Sequence, residues 1–257
     1  MTNINKEFLE KWFVLSSKEG KTDVMQTLLD KGMNPDVFNS SALLNALQHG
    51  QIDSLKFLIE NGSDYRQNND FLFRKSITLK NPEFIQYLIT KGVDVNSNNG
   101  EILKNALKFS VVDPVFFDIA KVLLDNGADF SLVEDEVISF IAYHYDEDTI
   151  NFILKNIPEF NVHVENDILL RKCAEAEFTP IVKELIKRGA NVHANNDEAL
   201  EYACELGYFD LVKYLVEEAG ANIFAEGRKA WQEASFSGHD HIVEYLDERE
   251  RLLKSQK

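Results

Sequence analysis

Six histidines, two cysteines and a recurring series of aspartates are the residues of this chain whose types could do chemistry. A metal site needs three or four donors within a few ångströms of one ion, and catalysis needs an acid, base or nucleophile in a local constellation. The histidines do not gather. His163 and His193 each end an Asn-Val-His triplet, 30 residues apart, while His239 and His241 stand i, i+2 at a helix start and face different ways. Stacked units with that spacing would hold His163 and His193 about 10 Å apart, too far to share an ion. Cys173 and Cys204 fall at equivalent small-residue positions, which reads as two small core residues rather than a redox pair. Asp70, Asp135, Asp167 and Asp197 recur at helix starts, so they read as caps that accept first-turn N–H groups, worth about 1 kcal/mol each. A catalytic site is local and does not recur every 30 residues. No Gly-rich phosphate loop, paired CxxC or HExxH is present. The expectation is no enzyme, no cofactor and no metal.

The elements that carry these residues repeat. Segments 22–32, 52–62, 82–92, 117–127, 147–157, 179–189 and 209–220 superimpose, and 240–248 closes the series without its glycine. Gly32, Gly62 and Gly92 are 30 residues apart; Gly127, Gly189 and Gly220 continue the series, with Ile157-Pro158-Glu159 standing where one glycine is missing. In the third segment Phe84, Ile85, Leu88 and Ile89 make one helical stripe, and the glycine after it can adopt the left-handed conformation that stops a helix. A first helix precedes each of these, most clearly over 196–208, and the same frame fits 40–50, 69–80, 134–145 and 166–177. Ala46, Ser76, Ala106, Cys173, Ala203 and Ala234 recur where neighbouring helices must approach closely, and a large side chain there would push the stack apart.

Helix–turn–helix units ending in Gly-Ala-Asn-Val or Gly-Val-Asp-Val-Asn resemble the ankyrin-repeat family, from about residue 5 to 252. The resemblance implies an all-α ankyrin-repeat solenoid of about eight stacked helix pairs with short finger loops. It implies one domain over 1–257, with repeats at about 5–36, 39–66, 69–96, 99–131, 134–163, 166–193, 196–224 and 227–252. Two features depart from the family pattern. The usual T-P-L-H is absent, with Glu198-Ala199-Leu200-Glu201 in its place in the seventh repeat, and the period is about three residues short of the usual 33. The shortfall follows Ala194, which predicts stubby fingers. This compact form is similar to the ankyrin arrays of large amoeba-infecting viruses and some intracellular bacteria. His239 matches the family's structural histidine after the inter-helix glycine. Asn96, in LITKGVDVN, reads as a finger asparagine bonding its own loop. About five residues within 111–117 (VVDPVFF) are inserted between the helices of the fourth repeat, either as a binding loop or as local packing.

Charge bounds the partners. The net formal charge is −16, whereas nucleic-acid binding needs a dense basic face. Residues 1–128 carry 14 Lys+Arg against 16 Asp+Glu, and 129–257 carry 13 against 27, so nearly all the acidity is in the second half. A field of one sign steers basic partners. No apolar run approaches the roughly 18 residues that span a bilayer. Lys6, Glu7, Glu10 and Lys11 stand where a signal peptide would be apolar, and two cysteines are too few for a disulfide scaffold. An intracellular, cytoplasmic monomer is expected, in the host cytoplasm if the chain is a viral or bacterial effector.

The resemblance also implies where a partner would sit. In the family, the two positions before the inter-helix glycine face the concave groove. Here they give Leu79, Phe109, Tyr143, His144, Glu175, Glu205, Leu206 and Phe236 as partner-binding candidates, aromatic and apolar anchors beside carboxylates. The expected function is non-catalytic binding of a partner protein, through a basic or partly apolar segment. The alternatives are an acidic nucleic-acid mimic that inhibits a DNA-binding enzyme, and an adaptor that recruits a target to a larger complex. With the last helix near the end of the sequence, no second module is expected.

Overall fold

The computed structural model of the protein describes residues 3–255. Among the described residues the fold is all-α: sixteen α-helices and three short 3-10 segments, with no strand. The chain separates into two compact units at Val133/Glu134, each holding four helix pairs. Unit one contains α1 (Asn3–Glu19) with α2 (Thr22–Leu29), α3 (Val37–Gln48) with α4 (Ile52–Glu60), α5 (Gln67–Lys75) with α6 (Pro82–Thr90), and α7 (Ser97–Phe109) with α8 (Val115–Asp125). Unit two contains α9 (Glu134–His144) with α10 (Glu147–Asn156), α11 (Ile168–Glu175) with α12 (Thr179–Lys187), α13 (Ala194–Glu205) with α14 (Phe209–Glu217), and α15 (Lys229–Phe236) with α16 (Asp240–Ser255).

First helices pack on first helices: α1 on α3 and α5 on α7 in unit one; α9 on α11, α11 on α13 and α13 on α15 in unit two. The recurring small residues make this possible, since Ala46, Ser76, Ala106, Cys173, Ala203 and Ala234 are all buried. On α6, Phe84, Ile85 and Leu88 are fully buried while Ile89 is half-buried at the edge of the stripe. Its start is set by Asn81, whose side chain accepts from the Phe84 N–H at 2.7 Å, followed by Pro82 at the first helical position.

Two mechanisms end the second helices. After α12, Gly189 takes φ +100°, its N–H donates to Ile186 O and the Ala190 N–H donates to Leu185 O at 3.0 Å, the paired bonds that satisfy a helix C-terminus around a left-handed residue. After α10 there is no glycine, and Ile157 leaves the helix in an extended conformation (φ −125°, ψ 88°) with its side chain buried. The carbonyls left over are taken by the next repeat: Arg188 donates to Leu154 O at 2.7 Å and to Pro158 O at 3.2 Å.

The fingers explain the short period. Instead of strands, each finger makes a tight turn in which an Asn or Asp side chain accepts the N–H two residues on, as Asp94 does from Asn96 and Asn191 from His193. A left-handed turn then leads into the first helix. Asn68-Asn69-Asp70, Glu165-Asn166-Asp167 and Asn195-Asn196-Asp197 all have φ between +45° and +66°. Asn and Asp tolerate this region because their short polar side chains bond locally. Asn98-Asn99-Gly100 does the same, and at Gly100 a Cβ would stand 3.0 Å from Val133 Cγ1.

This corrects the reading of the aspartates as helix caps. Asp70, Asp167 and Asp197 make no cap bond; each is buried and accepts the backbone N–H of the following finger, from Asp94 (3.1 Å), Asn191 (2.8 Å) and Asn222 (2.7 Å). Each also takes a donor four residues back, from Arg66, His163 and His193. Where the equivalent residue is Ser40 or Gly100, the acceptor moves to that earlier position: Asp36 accepts from the Asp64 N–H and Asn96 from the Asp129 N–H. The Asn96 side chain therefore bonds the next finger, donating also to Gly127 O, while only its backbone N–H bonds its own loop, at Asp94. In the fifth repeat Asp135 is exposed and Glu134 takes the role, accepting from the Asn161 N–H.

The insertion resolves into two parts. Residues 115–117 lengthen α8 at its start, and the loop proper is 110–114. It is pinned by Lys80, whose ammonium lies 2.7 Å from Asp113 Oδ2 and 5.7 Å from the centre of the buried Phe116 ring.

Candidate functional site

Among the described residues no three His, Cys, Asp or Glu side chains converge to hold a metal ion. The histidines are occupied one by one: His163 and His193 on their own aspartates, and His239 by Glu205 O at 2.9 Å. His241 packs edge-on to Phe209. Both cysteines are free and buried, and burial pushes the Cys204 thiol up to about 12 and raises that of Cys173 as well. A thiol held protonated is neither nucleophile nor ligand.

In each unit large apolar side chains are exposed at the ends of first helices, among others elsewhere. In unit two Phe236 is 92% exposed, Tyr143 56% and Leu206 42%. His144 is exposed and stacked on Phe140 at 3.9 Å, with Nδ1 2.7 Å from Phe140 O. Glu175 and Glu205 are half-buried. Glu175 is already engaged, its Oε2 2.5 Å from Lys172 Nζ.

Lys172, which the repeat pattern does not single out, is the centre of a cluster drawn from three successive repeats. Its ammonium lies 5.3 Å from the ring centre of Tyr202 and 5.8 Å from those of Tyr143 and Tyr145. Burial works against its charge, but the hydrogen bonds with Glu175 and Tyr145 outweigh that and hold it above the ordinary lysine range. The lysine so fixes Tyr143 on one side and Glu175 on the other. The signal in the sequence was the i, i+3 Lys-Glu spacing; the tyrosines needed the stack.

In unit one Phe109 ends α7, 41% exposed, with its ring 5.3 Å from that of Phe116. Part of its ring is thus open to solvent and part is taken up in local packing. Leu79 ends the 3-10 segment Ser76–Leu79 and is half-buried, on the lining of a cleft between α3 and α5.

Charge divides between the units in a way the net value hides. The helices α9, α11, α13 and α15 carry nine Asp/Glu against three Lys/Arg. In unit one α3 is uncharged, and α5 and α7 together carry Arg74, Lys75, Lys104 and Lys108 against Asp70 and Glu101. Asp70 is buried and Glu101 is paired with Arg74.

Stacked helix pairs joined by strandless fingers, with small residues between first helices, define a helical repeat protein. The chain belongs to the ankyrin-repeat family: ankyrin repeats (3 copies) match residues 138–226 and 170–253, and ankyrin repeats (many copies) match 13–70, together more than half of the chain. It is 34% identical over 62 residues to a putative ankyrin repeat protein of Acanthamoeba polyphaga mimivirus, a match that covers 24% of this chain and 30% of that relative's length. An ankyrin repeat protein from Leishmania major has the same fold, with a TM-score of 0.53 at 15% identity over 95% of this chain and 98% of that one. The human ASB11 ankyrin repeat domain aligns at TM-score 0.39 and 17% identity, over 86% and 90% of the two chains. Ankyrin repeats generally mediate protein–protein interaction. No described helix is long and apolar enough to cross a membrane.

Proposed function

We propose that this protein is a non-catalytic interaction module that holds a basic, partly apolar segment of a partner protein on the first helices of unit two. The observation that carries this reading is the exposure of Tyr143 and Leu206 at the ends of α9 and α13, which together carry seven Asp/Glu and no Lys/Arg, and of Phe236 at the end of the neutral α15. Large apolar anchors inside a charged rim are how binding energy is concentrated at interfaces. Nucleic-acid mimicry would need rows of free carboxylates, whereas Glu175, Glu198 and Glu201 each pair with Lys172, Arg171 or Lys229 of the same unit. That favours the protein-partner reading over the mimic.

The test is selection of a random-peptide display library on the full-length chain. Peptides rich in Arg or Lys with aromatic residues are expected, and Phe236→Ala, Leu206→Ala and Tyr143→Ala should each weaken them about tenfold or more. Glu205→Lys should slow association and reduce its salt dependence. Phe236→Ala should leave the melting temperature unchanged. Selected peptides whose binding ignores all four substitutions would overturn the assignment.

A further inference from the structure

The helix α1 exposes a position that the other repeats bury. Eight residues before the left-handed residue that closes a first helix (Gly20, Gly50 and Gly207 are examples) stands a side chain at the joint between repeats. On α3 it is Ala42, whose carbonyl accepts from the Ser17 hydroxyl of α1 at 3.0 Å, so this part of α3 faces the preceding first helix. Ala42, Leu72, Val137, Leu169, Ala199 and Ala230 are all buried. On α1 the same position holds Trp12, 44% exposed. Phe8 and Leu15, four residues before it and three after, are 64% and 46% exposed. With spacings of four and three the side chains form one stripe, the repeat by which one α-helix packs along another.

The size and charge of the stripe select what fits on it. At the buried counterparts the side chain is Ala, Val or Leu, which lets packed helices approach to about 8–10 Å. An indole is too large for that approach, so another repeat stacked in the ordinary way would be held off. A second copy of α1 meets no such conflict. In an antiparallel pair with its two-fold axis at Trp12, Phe8 of each chain lies over Leu15 of the other, and the two indoles meet at the axis. Charge permits this approach. Lys6, Lys11 and Lys18 balance Glu7, Glu10 and Glu19 along α1, and Lys11 pairs with Glu7 beside the stripe at 2.7 Å. The acid surplus of the chain belongs to residues 129–257 and not to α1, and repulsion beyond about 8 Å is screened at physiological salt.

We propose that the protein self-associates through α1, as an antiparallel two-fold dimer centred on Trp12, in place of the monomer expected from the sequence. One face of this 17-residue helix, about 25 Å by 10 Å, falls short of the roughly 800 Å² per partner of a standard interface. The dimer is therefore weak and forms with rising concentration. It makes no use of the unit-two surface, and neither assignment depends on the other.

Sedimentation equilibrium of the full-length chain, from micromolar to submillimolar concentration, tests it. The mass should rise from monomer towards dimer and stop there. Trp12→Glu should raise the dissociation constant at least tenfold, as should Phe8→Lys and Leu15→Glu taken singly. Mixed in equal amounts, the last two variants should associate again. The introduced ammonium and carboxylate then face each other on one side of the axis, while the untouched Phe8 and Leu15 meet on the other. All three positions are exposed, so these variants should melt close to the parent, and Phe236→Ala should leave association unchanged. A chain that stays monomeric throughout, or a dimer indifferent to Trp12→Glu, would overturn the proposal. Masses that grow past the dimer would overturn it as well, since head-to-tail stacking does not close. Failure of the mixed variants to associate would do the same, because Phe8 and Leu15 would then not face each other.

Discussion

Arg188 donates to the carbonyl oxygen of Leu154 at 2.7 Å, so a side chain ending α12 closes α10 one repeat earlier. The same guanidinium holds Glu184 at 2.8 Å and reaches Pro158 O, which fixes the fork in one orientation. It replaces the glycine stop that the fifth repeat lacks. Arg188→Ala should destabilise unit two by about 1.5–3 kcal/mol, because hydrogen bonds from charged donors are the costlier ones to lose. Arg188→Lys should recover only part, since an ammonium cannot fork. Urea unfolding measures both, and a loss below about 0.5 kcal/mol for the alanine variant would sink the idea.

The buried aspartates make a second prediction. Asp167→Ala leaves the Asn191 N–H without its acceptor and should cost about 1–3 kcal/mol, while Asp167→Asn keeps an acceptor and should cost less. Amide exchange is the direct readout: the Asn191 N–H should lose protection in Asp167→Ala. If its exchange rate does not change, the bond between fingers is not holding the turn.

Conformation can be separated from contact at Asn195, which is exposed with φ +51°. Valine there should cost about 1–2 kcal/mol, the penalty of a left-handed β-branched residue, and glycine should not. Equal losses for both substitutions would argue against the left-handed turn.

At Gly207 (φ +82°) a Cβ would lie 2.6 Å from the His239 ring. Gly207→Ala should therefore be destabilising both by conformation and by displacing His239 from Glu205 O. In a His239→Ala background part of that cost should vanish, with a coupling of about 0.5 kcal/mol or more in the double-mutant cycle. Strict additivity would show that the two residues do not touch.

The pH dependence of unit one should carry the mark of Glu101. Partial burial pushes its carboxyl up, but the hydrogen bonds from Arg74 and Asn98 prevail and hold it below the usual range. A depressed folded value means the stabilisation is present above the unfolded carboxylate value, about 4.3, and is lost as pH falls through the folded one. Glu101→Gln should lower stability at pH 7 and flatten the acid limb between pH 5 and pH 2. An unchanged acid limb would mean the pair contributes nothing.

Much of the architecture is legible because it is written in local spacing. The stripe of Phe84, Ile85 and Leu88, the glycine at 92 and the small residue at 106 each follow from contacts a few residues apart or from one steric rule applied once per repeat. The same locality misleads at Asp70, Asp167 and Asp197. A carboxylate at a helix start looks like a cap, and nothing nearby reveals that its partner lies 24 or 25 residues ahead.

By itself, the sequence determined that this chain is built of ankyrin helix pairs, that its period is short, and that its acidity is concentrated in the second half. The tertiary structure decided which side chains do the joining: that Asn96 takes over where Gly100 has no side chain, that Arg188 stands in for a glycine, and that Lys172 draws three tyrosines around it. It also decided that α5 leaves a cleft beside α3. The reason is one of range. Helix periodicity and turn preference act over three or four residues and can be read along the chain, whereas these contacts join residues about 24 to 34 apart, and that separation becomes proximity only once the repeats are stacked.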